Sequence, residues 1–494
     1  MLALLLQACA DPAPDEIRFA MGSAPSTLDP RYATDAASAR VVRLLYQAPV
    51  DFDAAFNVIP QLTEVIRDSD RRYRLRIIGA PTFSDGRPLT ASDIAATYRA
   101  VLDETMASPH SGSLAHIANI EVLDERTLVF DLARADLLFA GRLVVGVMPA
   151  EVATADATAF TAIGSGPFTL LARPHDGELL LQRRHDGQHL RLLTVKDPTV
   201  RALKLARGEV DILQGDLAPE LLGWLARRDD IDIVADAGTT FSYIGINLQD
   251  PVLARHEVRQ ALAQAIDREA LVRYLLQGHA RLGNSVLVPA HWAVPADLPS
   301  FSYDPAAARA LLASLGYDRE LPLTLGYKTS TDPLRQRIAA VLQQQLAEVG
   351  IKLKIEANDF GTFYGDIIAG RFQLYGLSWV GLKLPDHFRY AFHSASAPPA
   401  GANRGRFVDY EVDRLLEAAD AAPDEAAMVT LLGAAQRRIA SQLPYLPLWY
   451  EDTVAAVSGR VTGYAVRGDG AWDSLVSVEP VAQVRTGTRL TATP

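Results

Sequence analysis

Few residues of this chain have the types and spacing that catalysis or metal binding requires. His185 and His189 are four residues apart, which would place both imidazoles on one helix face, but Gly187 between them disfavours a helix. The sequence contains no G-x-S-x-G, no H-E-x-x-H and no cysteine–histidine arrangement, and its carboxylates show no spacing that indicates an acid–base pair. The sequence therefore predicts that the protein is not an enzyme and has neither a metal site nor a cofactor.

The single cysteine, Cys9, lies in a context that predicts lipid attachment. Apolar residues 2–6 precede Gln7-Ala8-Cys9, and a Pro- and Asp-rich tether follows. This pattern resembles a bacterial signal peptide with a lipobox, in which acyl chains on the cysteine hold the protein on a membrane at about 0.8 kcal/mol per buried CH₂. The alternative is an inert thiol in a disordered start. Because no Lys or Arg precedes the apolar run, we expect the natural chain to begin upstream.

Length and charge exclude further classes of protein. The 494 residues exceed the ~250–300 that a single hydrophobic core usually serves, so we expect several lobes. The net charge of −11 disfavours a nucleic-acid partner, since phosphate contacts need clustered Lys and Arg, and the pair Arg183-Arg184 is predicted to be solvated. Beyond the first few residues, no apolar run approaches the roughly 20 residues of a membrane-spanning helix.

The stretch of residues 243–278 pairs a predicted strand with two predicted helices. Its β-branched and aromatic start ends before Pro251, which cannot continue a sheet ladder. Asp267 is expected to cap the second helix and Gly278 to end it. The predicted core positions of the two helices are Val258, Ala261, Leu262, Ala265, Ile266, Leu271, Tyr274 and Leu275.

Two further stretches have clear local signals. In residues 83–93, Asp85-Gly86 predicts a tight turn, and Thr90 with Asp93 predicts a capping box at a helix start. Residues 321–356 predict a strand, a helix that begins at Pro333, and a second strand. Such a unit normally crosses over to form a parallel sheet, so we expect an α/β lobe there.

These stretches resemble, in the same order, motifs of the extracytoplasmic solute-binding proteins of peptide-type ABC importers, the dipeptide- and oligopeptide-binding family. Residues 243–278 are similar to its N…P…VRxALxxAIDR segment, and residues 83–93 to its FSDGxPLTAxDV segment. Four shorter matches are the LDP of residues 28–30, GSGPF of 164–168, GEVDI of 208–212 and LPYLPL of 443–448. Six matches in order are hard to obtain by chance, and the resemblance covers residues 17 to about 473.

The resemblance implies an α/β fold: a bilobal, periplasmic-binding-protein-like fold with mixed sheets and an extra small α/β domain. Residues 1–16 would be the signal, lipobox and tether. The implied domains are lobe I from residues 17–45, 162–240 and 465–494, the extra domain 46–161 inserted in lobe I, and lobe II from residues 241–464.

The function implied by the resemblance is that of the substrate-binding component of an ABC importer. Such a protein closes its lobes over a peptide or peptide-like solute, in the manner of a Venus flytrap, and delivers it to the permease subunits and their ATPases. We expect a periplasmic monomer, held on the membrane at Cys9. Two alternatives remain: a solute-binding sensor or chaperone, and an importer component for a non-peptide, including an anionic, small metabolite.

The resemblance implies two ligand-binding segments. One is the loop after the LDP motif. The other is similar to a family segment, W.gD..DP, whose first Asp holds the amine of the solute, but here Leu382 takes that position. Asp386 could be a shifted substitute for this anchor, Lys383 could select an anionic solute, or both could be solvated.

Four more residues have two interpretations each. Trp379 either stacks on the solute or belongs to the core, and Asn403, Arg404 and Arg406 either bind a carboxylate or are ordinary surface residues. The complete set of predicted ligand-binding residues is Tyr32, Ala33, Thr34, Asp35, Ser378, Trp379, Val380, Gly381, Lys383, Asp386, Asn403 and Arg404.

Overall fold

A computed structural model describes residues 16–154, 161–175, 177–215 and 217–481, so the predicted lipidation site at Cys9 lies outside the described residues. The strands are β1 Glu16–Met21, β2 Val50–Phe52, β3 Val58–Pro60, β4 Thr63–Ser69, β5 Arg72–Ile77, β6 Ile117–Asp124, β7 Thr127–Leu132, β8 Phe168–Ala172, β9 Glu178–Arg183, β10 His189–Thr194, β11 Ile212–Gln214, β12 Ile231–Ile246, β13 Ala280–Leu282, β14 Leu323–Ser330, β15 Ile351–Asn358, β16 Leu374–Trp379, β17 Tyr445–Ser458, β18 Val461–Thr462 and β19 Glu479–Pro480. The helices are α1 Ala36–Leu45, α2 Ala91–Leu102, α3 Ser111–Leu114, α4 Ala150–Ala153, α5 Pro198–Ala206, α6 Pro219–Leu225, α7 His256–Ala265, α8 Arg268–Ala270, α9 Pro305–Ser314, α10 Pro333–Glu348, α11 Phe360–Ile368, α12 His387–Phe392, α13 Tyr410–Asp420 and α14 Glu425–Gln442.

One mixed sheet runs through both lobes in the order β15-β14-β16-β12-β17-β11-β1-β10-β9-β8. The long strands β12 and β17 pair antiparallel along most of their length, and they belong to both lobes. On one side β11 pairs with the carboxyl-terminal part of β17, and on the other β16 pairs with the carboxyl-terminal part of β12. We call the part with β1 and β8–β11 lobe I and the part with β13–β16 lobe II.

Lobe I is built on β1, which pairs parallel with both β10 and β11. Ile17 and residues 19–21 of β1 are buried, and Asp35 caps the following helix α1 by accepting a hydrogen bond from the Ser38 amide. The GSGPF motif packs against the end of α1: a Cβ atom on Gly164 would lie 2.1 Å from the carbonyl oxygen of Leu45. The motif therefore needs glycine because two backbones meet there.

One expectation for lobe I is wrong. Arg183 at the end of β9 is 1% exposed, ion-pairs with Asp186 and donates to the carbonyl oxygen of Val478. Burial is possible because each guanidinium edge has an acceptor. The two candidate histidines do not share a helix, since His185 follows β9 and His189 begins β10.

Lobe II contains the predicted strand–helix–strand unit. Strands β14 and β15 are parallel, with α10 between them, as the pattern predicts. The apolar face of α7 is buried, and Asp267 caps α8 by accepting from the Ala270 amide. The prediction for Tyr274 is wrong, because its side chain is 75% exposed. The chain there widens into a single π turn after α8, which shifts the side chains away from α-helical positions.

A four-stranded antiparallel sheet, β4-β5-β7-β6, forms a separate small domain with α2 packed on it. The predicted capping box is confirmed, since both reciprocal hydrogen bonds between Thr90 and Asp93 are present. Within the described ranges, no helix combines the length and apolar composition needed to cross a membrane. The predicted residue limits of the lobes and the inserted domain stay predictions.

Candidate functional site

Two backbone segments connect the lobes, and we call them the hinge: residues 236–240 of β12 and 451–453 of β17. The pairing register of the strands shifts within the first segment. Gly238 lies so close to β17 that a Cβ atom there would be 1.9 Å from the carbonyl oxygen of Glu451. The ladder is therefore interrupted where the lobes meet, and glycine permits the close approach of the two backbones.

A cavity of about 420 Å³ lies against the hinge, between the lobes, and we call it the hinge cavity. Its walls combine apolar and charged side chains, among them Phe52, Phe56, Asp236, Arg281, Lys383 and Asp469. Small-molecule sites commonly have volumes of about 300–1,000 Å³, with apolar walls and a few charged groups. The hinge cavity therefore has the size and the chemistry of a solute site.

A second cavity, of about 330 Å³, lies beside β17 and also contacts both lobes; we call it the back cavity. The first turns of α6 and α10 line it together with Arg335 and Glu451. Arg335 Nη1 lies 2.9 Å from Glu451 Oε1, and Ser242 Oγ donates to the same oxygen at 2.6 Å. Burial by itself would raise the pKa of Glu451, but Arg335 and Ser242 outweigh it and lower that pKa.

Lys383 connects lobe II to the opposite side of the hinge cavity. Its Nζ lies 3.1 Å from Asp469 Oδ2 and 3.8 Å from Asp51 Oδ1. Burial would raise the pKa of Asp469, yet Lys383 and Arg467 together lower it well below its usual range. The positive charge of Lys383 is therefore shared with two carboxylates.

Arg142 makes a second ionic link across the cleft. Its guanidinium binds Asp136 in the small-domain region at 2.7 Å and Asp386 in lobe II at 2.5 Å. Arg142 and Asp136 are largely buried, with side-chain exposures of 13% and 7%, whereas Asp386 is 35% exposed. Leu384, between Lys383 and Asp386, packs against Gly141. The segment that follows β16 thus holds the lobes together at several points.

A partly exposed aromatic surface lies in lobe II near the end of β16, and we define it as the aromatic wall: the exposed Phe360 and Tyr390 and the half-buried Tyr364 and Trp379. The rings of Phe360 and Tyr364 stack, with centroids 5.7 Å apart, and Trp379 meets Tyr390 edge-on. Phe360 is 61% and Tyr390 48% exposed. Large exposed apolar patches of this kind indicate a binding surface.

Arg404 lies beneath the aromatic wall. Its Cζ is 4.6 Å from the Trp379 ring centroid and 5.4 Å from that of Tyr364. Its two terminal nitrogens donate to the hydroxyl oxygens of Tyr243 and Tyr364. Burial, helped by the nearby Arg404 charge, lowers the pKa of His387 to about 3, so this imidazole is neutral at neutral pH.

Comparison with known proteins identifies the family. The model of bacterial extracellular solute-binding proteins, family 5, matches residues 57–399, which is more than half of the chain. The chain belongs to this family. The resemblance predicted from the sequence, to solute-binding proteins of peptide-type ABC importers, is thereby confirmed.

Relatives of this family 5 protein match it over most of its length. A probable di/tripeptide-binding protein 5 of Pseudomonas aeruginosa is 27% identical over 468 residues, covering 86% of this chain and 88% of that protein. The ABC transporter substrate-binding protein CtaP of Listeria monocytogenes aligns with a TM-score of 0.84 at 22% identity, over 94% of this chain and 99% of that one. NikZ of Campylobacter jejuni, solved with Ni(L-His), aligns with a TM-score of 0.79 at 20% identity, over 94% and 100%. The bilobal fold predicted from the sequence is confirmed.

The structure separates the two segments predicted to bind solute in this family 5 protein. In the first segment, Tyr32 donates to the carbonyl oxygen of Met106, Ala33 is buried, Thr34 is exposed and Asp35 caps α1. None of these four residues lines the hinge cavity. The long-range hydrogen bond of Tyr32 and the local cap formed by Asp35 give both side chains a structural role.

The second segment lies at the cleft. The Ser378 hydroxyl lies 2.7 Å from that of Ser242, which donates to Glu451. Val380 is 60% exposed, and Gly381 has a left-handed φ of 71°. Trp379 belongs to the aromatic wall, and Lys383 lines the hinge cavity.

Asn403 and Arg404 have different environments although they are neighbours. Asn403 is 2% exposed, and its side-chain amide bonds the backbone of Phe407 and the carbonyl oxygen of His393, which explains its burial. Arg404 instead contacts Trp379. The structure thus brings Trp379 and Arg404 together, and it places Asn403 in a structural turn.

Sequence reasoning missed Phe360, Tyr364 and Arg142. The spacing of the first two was a usable signal, because two aromatic residues four apart at a helix start lie on one face. Arg142 had no local signal, since its partner Asp386 is 244 residues away in the sequence.

Proposed function

We propose that this protein captures a peptide or peptide-like solute in the hinge cavity and delivers it to the permease of an ABC importer. The observation that carries the proposal is the position of the hinge cavity: it lies against the hinge and is lined by both lobes. A solute there would contact both lobes only when they are closed. Such a solute favours the closed state through its differential affinity, and the permease can recognise that shape.

The lining of the hinge cavity supports a peptide-like solute. Phe52 and Phe56 offer apolar surface for side chains. Asp236 offers a negative charge for the amino terminus, and Arg281, which also pairs with Asp452, offers a positive charge for the carboxyl terminus. Backbone amides need hydrogen-bond partners when they leave water, and Thr239 also faces the cavity. The di/tripeptide-binding relative from Pseudomonas supports the same class of solute.

Native mass spectrometry of the purified protein tests this proposal. We expect a single-chain mass, in agreement with a monomer, that carries a retained short peptide. Ala290→Trp should fill the hinge cavity and remove the peptide, whereas Ala218→Trp, which lines the back cavity, should keep it. A retained non-peptide metabolite would refute the peptide part of the proposal. Loss of the peptide only from Ala218→Trp would move the site to the back cavity.

We also propose that the protein is periplasmic and anchored through Cys9. The apolar run before this cysteine and the Pro- and Asp-rich tether after it support lipid attachment. Cys9→Ser should move the protein from the membrane fraction to the soluble fraction of cells that express the native gene. Equal membrane fractions for both proteins would contradict the anchor.

A further inference from the structure

Arg404 differs from four other buried arginines, Arg31, Arg183, Arg259 and Arg268. Arg31 and Arg183 pair with carboxylates. Arg259 and Arg268 each donate hydrogen bonds to three backbone carbonyl oxygens. Arg404 is 4% exposed, and its hydrogen bonds reach only two neutral phenol oxygens. No carboxylate of the described residues lies within 4 Å of it. A cation so buried usually has an anionic partner, because leaving water costs several kcal/mol.

The buried groups around Arg404 are unpartnered nitrogen donors and neutral tyrosine hydroxyls; those of Tyr375 and Tyr445 also lack a hydrogen-bond partner among the described residues. Three buried nitrogens have no hydrogen-bond partner among the described residues: Arg404 Nε, Trp379 Nε1 and His387 Nε2. The rings of Trp379 and His387 are in contact, with centroids 4.1 Å apart, and Arg404 lies over the same indole. The first two nitrogens are always donors, and a neutral imidazole donates from one of its nitrogens. The group that would satisfy this cluster is therefore an acceptor.

The acidic side chains nearby are already engaged. Asp386, the residue directly before α12, is bound by Arg142, and Asp469 across the cleft is bound by Lys383. Leu382 offers no charge. Within the described residues, the surroundings of Trp379 thus carry an unpaired cation and no free carboxylate, which disfavours a solute amine at this place and favours an anion.

The cluster lies directly below a surface that solute can reach. Val380 is 60% exposed, Phe360 61% and Tyr390 48%, so the aromatic wall is open to the solvent beside the buried donors. Aromatic side chains with two rotatable bonds, such as Tyr390, change rotamer readily at exposed positions. A small movement of the wall would bring a bound group to the guanidinium.

We propose that Arg404 and the aromatic wall form a subsite that selects a carboxylate-bearing group of the solute. The proposal deepens the proposed function, on which it rests, by naming the chemistry that one part of the solute carries. An aromatic or apolar portion of the solute stacks on the wall, and its carboxylate accepts hydrogen bonds from Arg404 and Trp379. The subsite discriminates against a cationic group at the same place.

Isothermal titration calorimetry with hippurate and its neutral amide, hippuramide, tests the subsite. Hippurate carries a ring for the wall and a carboxylate for Arg404, and the amide keeps its size and shape but replaces the charged acceptor by a neutral group. We expect the protein to bind hippurate about tenfold more tightly or more, since hydrogen bonds between charged groups have this strength. Arg404→Gln should remove the difference, while Arg406→Gln, a half-buried neighbour, should preserve it. Equal binding of the two probes, no binding of either, or an unchanged preference in Arg404→Gln would overturn the proposal.

The unfolding temperature distinguishes a ligand-binding role of Arg404 from a role in stabilising the fold. Arg404→Met should unfold at a temperature no lower than that of the natural protein, because it removes an unpaired buried charge. Arg31→Met should unfold at a lower temperature, because it leaves Asp29 buried without its partner. If both variants lose stability equally, Arg404 is structural and the proposal is wrong. Peptide retention is measured independently by mass spectrometry, so either proposal can fail while the other stands.

Discussion

Replacing Gly238 with alanine is expected to destabilise the protein and to weaken closure of the lobes. The new Cβ atom would lie 1.9 Å from the carbonyl oxygen of Glu451, a backbone atom that cannot rotate away. The strands β12 and β17 must then separate at the hinge. We expect the free energy of unfolding to fall by about 3 kcal/mol, the upper part of the range for overpacked sites, as measured by denaturant unfolding.

Small-angle X-ray scattering would show the second effect, a larger radius of gyration for Gly238→Ala in the presence of solute. Gly365→Ala is the matched control, because Gly365 lies in α11 and a Cβ there meets nothing within 4 Å. This control should gain roughly 0.5–1 kcal/mol of stability from helix propensity. If Gly238→Ala were as stable and as closed as the natural protein, the close contact at the hinge would have no mechanical importance.

Replacing Arg142 with leucine is the second change with a large expected effect. It removes the cation that Asp136 and Asp386 share and leaves the Asp136 carboxylate buried. Breaking a buried pair by removal of one partner costs about 3–5 kcal/mol of stability. Burial alone would raise the pKa of Asp136, and His116 and Arg142 together lower it. Because the variant keeps only His116, this pKa should rise.

The variant Asp386→Asn distinguishes the effect of Arg142 on lobe closure from its effect on the free energy of unfolding. This variant keeps the pair of Arg142 with Asp136 and removes only the link to lobe II, at a carboxylate that is 35% exposed. The free energy of unfolding should change by less than about 1 kcal/mol. Scattering should nevertheless show more open molecules in the absence of solute. A large loss of stability in Asp386→Asn, or none in Arg142→Leu, would contradict this interpretation.

Local signals predicted the elements well because they depend on neighbouring residues. The cap at Asp267 and the box formed by Thr90 and Asp93 define helix starts that the structure reproduces. The prediction of a short strand near Tyr243 was incomplete, because β12 begins at Ile231 and passes through the hinge. Its central residues, which include Gly238, lie where the ladder with β17 is interrupted, so they show neither the alternating pattern nor the regular pairing of a strand.

The candidate site was less predictable, because its contacts join distant parts of the chain. The resemblance pointed to Trp379 and Lys383, and the structure finds them at the wall and the hinge cavity. It could not show that Lys383 is paired with Asp469, 86 residues later. The burial of Arg404 without a carboxylate partner could not be predicted either. Whether an arginine has an anionic partner depends on residues that are distant in the sequence.

The interleaved sheet has a consequence for how the chain folds during synthesis. The first strand, β1, pairs with β11, and β11 in turn pairs with β17, so that Ile212 lies opposite Val457. The centre of the amino-terminal lobe is therefore incomplete until nearly the whole polypeptide has left the ribosome. Contacts of such large sequence separation form slowly, because the intervening chain must first be ordered. We expect nascent chains to stay unfolded for long enough to be threaded through a narrow export channel.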